Sequence, residues 1–136
     1  MNNNITEDYC SFEVSKLLRK KKFDVKTSEY YAADGSQQFP KYDEPAYQNS
    51  KEKHGCSMPT HALAIKWVRE NYKLHLEVYP IKVSTSDKSG YRYGWGIMDL
   101  SEEIVKGYEY NEPLGYYSFE EAVEAALLYT LTHLIK

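Results

Sequence analysis

The fold is decided by residues 59–72, PTHALAIKWVRENY, whose apolar side chains recur with the spacing of an α-helix. We predict a helix over residues 58–72, capped by the hydroxyl of Ser57, with Pro59 in the first turn where a backbone N–H is not needed. At 100° per residue, one broad apolar face is expected to contain Met58, His61, Ala62, Ala64, Ile65, Val68 and Tyr72.

A second apolar strip on this helix consists of Leu63 and Trp67, which lie one turn apart and roughly opposite the first face. A helix that is apolar on two sides usually packs between two layers. One strip is therefore expected to face a sheet, and the other a helix, a loop or another protein. Leu63 and Trp67 are candidate binding residues on this basis, because an exposed indole ring marks an interface.

Composition restricts the class of protein. The chain of 136 residues has a net charge of −3, so it has no general attraction for nucleic acid or for an anionic membrane. One domain over residues 1–136 is expected. Only two cysteines are present, Cys10 and Cys56, which suits a reducing compartment and leaves a single disulfide as the minority interpretation. With no signal-peptide pattern and no long apolar run, we predict a cytoplasmic protein with no membrane contact.

The N-terminal half is predicted to contain a frayed segment (1–9), a helix (11–22), a strand (23–32) and a long loop (36–57). Such a long loop is often functional, and Tyr42 and Tyr47 are expected to attach it to the domain and to contribute to binding. The chain has 14 tyrosines, a residue that is enriched at binding surfaces.

Three strands are predicted after the central helix. In residues 74–83 the apolar side chains alternate and change phase at Pro80, which indicates a bulge or an edge strand. A turn at 86–90 is expected to join this strand to a second one over residues 91–100, and a third strand covers 104–110. Residues 111–115 are predicted to form a turn.

The last helix is predicted over residues 118–135 and begins with a capping box, Ser118 to Glu121. Its second half is apolar nearly all round, so it is either enclosed by the first helix or used in a homodimer. Together these elements predict an α+β domain in which an antiparallel sheet of three to four strands carries its helices mainly on one face.

A basic run ends the first helix and consists of Arg19, Lys20, Lys21 and Lys22. Cations at this position complement the helix dipole, which is the ordinary interpretation. The alternative is a patch that binds phosphate groups.

Candidate catalytic and metal-binding residues are sparse: His54, Cys56, His61 and His75. Their spacing matches no zinc motif, so we predict no metal site and no cofactor. His61 is expected to be a core histidine bonded to backbone, with a pocket around it as the alternative. Cys56 with His54 or His61 as its base is the remaining enzymatic interpretation, and it lacks a third group.

Two resemblances add to this interpretation. From residue 58 onward the order of helix, three strands and helix resembles a double-stranded-RNA-binding domain, which implies RNA binding through lysines at the start of the last helix. Ser118, Phe119, Glu120 and Glu121 occupy those positions here, and two of them would repel phosphate.

A closer resemblance is to small uncharacterised proteins of Bacteroides species and their phages or mobile elements, and it covers about half of the chain. It implies a bacterial or phage origin and carries no catalytic residues. The matching stretches are SFEVSKLLRKKKFD (11–24), CSMPTHALAIKWVRE (56–70), LHLEV (74–78) and YYSFEEAVEAALLYTLTHLI (116–135). In this resemblance Lys22 stands where a glycine is expected to stop the first helix, so we expect that helix to run on slightly.

The sequence therefore favours a non-catalytic binding or interaction module with a protein partner or a second copy of itself. The alternatives are a nucleic-acid-binding domain that uses the basic run, and a small enzyme that uses His61 or Cys56.

Overall fold

A computed structural model describes residues 1–84, 89–101, 106–109 and 115–136. The described part is an α+β fold, as predicted, and includes a 3₁₀ turn (Asn49–Lys51) and a terminal π-helical turn (Thr130–Leu134). The helices and strands in chain order are α1 (Phe12–Lys20), β1 (Tyr30–Tyr31), β2 (Gln37–Gln38), β3 (Cys56–Ser57), α2 (His61–Tyr72), β4 (Leu74–Ser84), β5 (Ser89–Asp99), β6 (Lys106–Glu109) and α3 (Phe119–Tyr129).

The main sheet is antiparallel and has the strand order β4-β5-β6. The β4–β5 pairing runs without interruption from Leu74 opposite Asp99 to Ser84 opposite Ser89, so Pro80 causes no bulge. β4 lies at the edge of this sheet, where a proline costs no ladder hydrogen bond, which confirms the edge-strand alternative. The predicted turns fall largely on residues 85–88 and 111–114, which lie outside the described residues. The two ends of the third predicted strand, 104–105 and 110, also lie outside them.

The core lies between the main sheet and the helices. Alternate residues of β4 and β5 are buried against α2 and α3, among them Leu74, Leu76, Trp95 and Ile97. α1 packs on α3 and on the terminal turn, where Leu131 is buried. The end of the last helix is therefore enclosed by the first helix, which was one of the two predicted alternatives. No helix in the described part of the chain is long and apolar enough to cross a membrane.

The start of the central helix differs from the prediction. α2 begins at His61, and its cap is Thr60, whose Oγ1 accepts the Leu63 N–H at 3.1 Å. Ser57 cannot serve as the cap because it belongs to β3, where it pairs with Tyr30. The predicted helical residue Met58 instead packs in a small separate cluster with Tyr31 and Cys56.

α1 ends at Lys20, so the expectation that it continues past Lys22 was wrong. Lys22 takes a left-handed conformation, with φ of 73°. Its N–H bonds to the Arg19 carbonyl and the Phe23 N–H bonds to the Leu18 carbonyl, which is a Schellman motif without glycine. Phe23 and Leu18 are both fully buried, and burial of this pair holds the lysine in a conformation that its side chain disfavours.

The strand predicted over residues 23–32 was wrong except at its end, because only Tyr30–Tyr31 pairs with other strands. Thr27 forms an isolated bridge to Tyr47. The segment 36–57, predicted as a loop, contains β2, the 3₁₀ turn and β3.

Candidate functional site

The candidate site forms where the chain segments before α1 and α2 pair side by side. Tyr9 and Thr60 form an antiparallel bridge. On either side of it, the Cys10 N–H bonds to the Pro59 carbonyl and the His61 N–H bonds to the Asp8 carbonyl, each at 2.9 Å. These bonds fix Cys10 just before the α1 cap and His61 in the first turn of α2.

α3 supplies the third side chain of the site, Glu124. Its Oε1 accepts the Ser11 N–H at 2.8 Å and lies 2.8 Å from His61 Nε2. Burial would favour the neutral acid, but the hydrogen bonds from His61 and Ser11 outweigh it and hold the pKa of Glu124 below its usual value. The carboxylate thus joins all three helices through its contacts with His61 and with the start of α1.

Cys10 completes the cluster and is fully buried. Its thiol points to the Thr60 carbonyl at 3.9 Å, and its own carbonyl accepts the Tyr31 hydroxyl at 2.6 Å. Burial, reinforced by the charge of Glu124, raises the pKa of the Cys10 thiol far above its usual value. Ligand-type atoms of Cys10, His61 and Glu124 all lie within 4.8 Å of one another.

Two cavities adjoin this cluster and share Asp8 and His61 as lining residues, and we call them together the acidic groove. Their volumes are about 470 and 320 Å³. The first is lined by Asp8, Tyr9, Ser11, His61, Tyr116, Glu120, Glu121 and Glu124, and the second by Glu7, Asp8, Thr60, His61, Ala62, Ile65, Phe119 and Val123. Five carboxylates line the groove, and none of its described lining residues is a lysine or an arginine. His61 therefore adjoins two cavities whose charged lining residues are all acidic.

The chemistry of the cluster was only partly visible in the sequence. His61 is buried as predicted, but the bond that its ring makes is to the side chain of Glu124 rather than to backbone. Cys10 and Glu124 are 51 and 63 residues from His61, and such separations match no local motif that would pair them with it. The only signal was the position of Cys10 and His61 beside two helix caps.

Cys56, the candidate nucleophile of the enzymatic alternative, lies in the cluster of Tyr31 and Met58. It is fully buried and free of any disulfide, as is Cys10. Burial raises the pKa of the Cys56 thiol to about 11, so the reactive thiolate is scarce near neutral pH.

The apolar strip of α2 is covered in part by the chain itself. Trp67 is half-buried and makes edge contacts with Phe23 and Tyr72, with ring centroids 5.3 and 5.4 Å away. Leu63 is also half-buried against the main core. Neither residue forms the fully exposed surface that would mark an interface by itself.

The basic run is divided by the fold. Arg19 donates hydrogen bonds to the carbonyls of Gly55 and Glu52 and to the Tyr47 hydroxyl, so it ties the 36–57 segment to α1. Lys20 and Lys22 are exposed, and Lys21 is half-buried. The two predicted binding tyrosines lie in different environments. Tyr47 is buried and stacks on Tyr30, whereas Tyr42 is fully exposed.

Comparison of the chain with protein-family models, with curated proteins and with solved structures gave no match.

Proposed function

We propose that this protein is a non-catalytic binding module that holds a basic, partly apolar segment of a partner protein in the acidic groove. The observation that carries the proposal is the composition of the groove, which combines five carboxylates with an apolar wall. The apolar wall is formed by Ala62, Ile65, Phe119 and Val123.

The charge of the groove determines what it can hold. Glu120 and Glu121 are exposed on its rim, whereas Glu124 lies deeper beside His61. A lysine or arginine side chain of the partner meets carboxylates of opposite sign, and a neighbouring apolar side chain contacts Phe119 and Ile65. Complementary charge of this kind favours rapid association and rejects acidic partners.

The alternatives have less support in the described residues. Nucleic-acid binding would use the basic run, but the Arg19 guanidinium already bonds to carbonyl groups of the chain itself. The start of α3 presents carboxylates to solvent, and these would repel phosphate. An enzyme based on a cysteine nucleophile needs an accessible thiolate, and Cys10 and Cys56 are both fully buried with raised pKa values.

The test is fluorescence anisotropy with a labelled peptide of alternating lysine and leucine residues. We expect Glu120→Gln/Glu121→Gln to weaken binding by about 5–30-fold, since the two lost charge contacts are worth roughly 0.5–1 kcal/mol each. The matched control is Glu70→Gln/Glu77→Gln, which removes the same charge from exposed residues outside the groove. An equal loss in both variants refutes the proposal, because it shows attraction to net charge rather than to the groove.

Self-association and the bacterial or phage origin stay predictions. A second copy of this chain, bound through the last helix or Trp67, is the other partner that the sequence suggests, and size-exclusion chromatography with light scattering measures self-association directly. A strict monomer that also fails to bind the basic peptide counts against the binding module.

A further inference from the structure

The Cys10–His61–Glu124 cluster combines three different metal-ligating side chains. Cys10 lies just before α1, His61 lies in the first turn of α2, and Glu124 lies in the middle of α3. Backbone hydrogen bonds fix the positions of Cys10 and His61, so their contact with Glu124 does not depend on an exposed loop. We propose that this cluster binds one divalent transition-metal ion of the zinc class, a site that goes beyond the proposed binding of a basic segment.

The ligand set selects the metal. Thiolate, imidazole and carboxylate are the three side-chain ligands of Zn²⁺, whereas Ca²⁺ and Mg²⁺ require six or more oxygen ligands. In a tetrahedral zinc site neighbouring ligand atoms lie about 3.4–3.6 Å apart. The atoms here lie within 4.8 Å of one another, and the closest pair, His61 Nε2 and Glu124 Oε1, is 2.8 Å apart. Metal binding therefore opens that hydrogen bond slightly and draws the thiol inward.

Charge balance supports the same assignment. Binding removes the proton from Cys10, and the resulting thiolate together with the Glu124 carboxylate neutralises the two positive charges of the ion. The thiol proton that the metal displaces is released to solvent.

Contacts around the ligands hold them in place. The Ser11 N–H bonds to Glu124, and the Tyr31 hydroxyl bonds to the Cys10 carbonyl, while the Asp8 carbonyl fixes the backbone of His61. Outer contacts of this type orient metal ligands and tune their affinity. His61 and Glu124 also line the larger cavity of the acidic groove, so an ion reaches the cluster from that side, and a water molecule there takes the fourth position.

The test uses the purified full chain under reducing conditions, after treatment with a chelator. Titration calorimetry with Zn²⁺ is expected to show one ion per chain, and Co²⁺ is expected to give the near-ultraviolet charge-transfer band of a cobalt–thiolate bond. Cys10→Ala is expected to abolish that band, and Glu124→Gln and His61→Gln to weaken zinc binding by more than about 10-fold.

The control is Cys56→Ala, which removes the other fully buried thiol and should keep both the band and the stoichiometry. Circular dichroism identifies any variant that fails to fold. If Cys10→Ala fails to fold, the loss of zinc affinity in a folded Glu124→Gln variant tests the site instead. The proposal is overturned if the native chain binds no zinc, or if the variants of the cluster bind it as tightly as Cys56→Ala does. Peptide binding to the acidic groove is measured separately in chelator, so failure of one proposal leaves the other standing.

Discussion

Replacement of Lys22 by glycine is expected to stabilise the protein, because this lysine ends α1 in a left-handed conformation with φ of 73°. That conformation costs a residue with a Cβ roughly 1–2 kcal/mol. Glycine adopts this conformation freely. However, glycine also has more conformational entropy in the unfolded chain, which lowers the gain in the free energy of unfolding by about 0.4–1 kcal/mol. We therefore expect Lys22→Gly to raise the free energy of unfolding by about 0.5–1 kcal/mol and Tm by about 2–4 °C, measured by urea and thermal denaturation.

The matched control is Lys20→Gly, which removes the same charge two residues earlier but inside the last turn of the helix. It should lower stability by about 1 kcal/mol, since glycine is a poor residue within a helix. Lys73, which follows α2 with φ of 57°, provides a second position where glycine should stabilise. If Lys22→Gly destabilises as much as Lys20→Gly, then Lys22 does not occupy the left-handed position in solution, and the explanation of how α1 ends is refuted.

Three further predictions follow from buried groups and from Arg19. Ser15 is fully buried, and its hydroxyl has no hydrogen-bond partner among the described residues, so Ser15→Ala should raise the free energy of unfolding by about 1 kcal/mol; a loss in urea denaturation contradicts this. Arg19→Lys should cost about 1–2 kcal/mol in the same assay, because a lysine cannot reproduce the planar contacts of the guanidinium, whereas Lys20→Arg should be neutral. Both thiols, Cys10 and Cys56, should resist iodoacetamide at pH 8 in chelator and react fully in guanidinium chloride, because both are buried with raised pKa values; rapid labelling of the native chain would contradict the buried cluster.

Features that depend on neighbouring residues could be predicted from the sequence. The alternation in residues 74–83 places Leu74 and Leu76 in the core, and the predicted cap Ser118 accepts the Glu121 N–H at 3.1 Å. These signals are local, because a strand has a period of two residues and a cap acts over three. The α+β class followed from the order of such elements.

Features that join distant parts of the chain depend on tertiary packing and could not be predicted in this way. Pairing of β3 with β1 removed Ser57 from the start of α2, and burial of Phe23 stopped α1 at Lys20 without a glycine. Cys10 and Glu124 meet His61 because two helix starts pair and a third helix crosses them. No spacing in the sequence encodes such a meeting, since residues more than 50 positions apart are brought together by packing and backbone pairing, not by helical or strand periodicity.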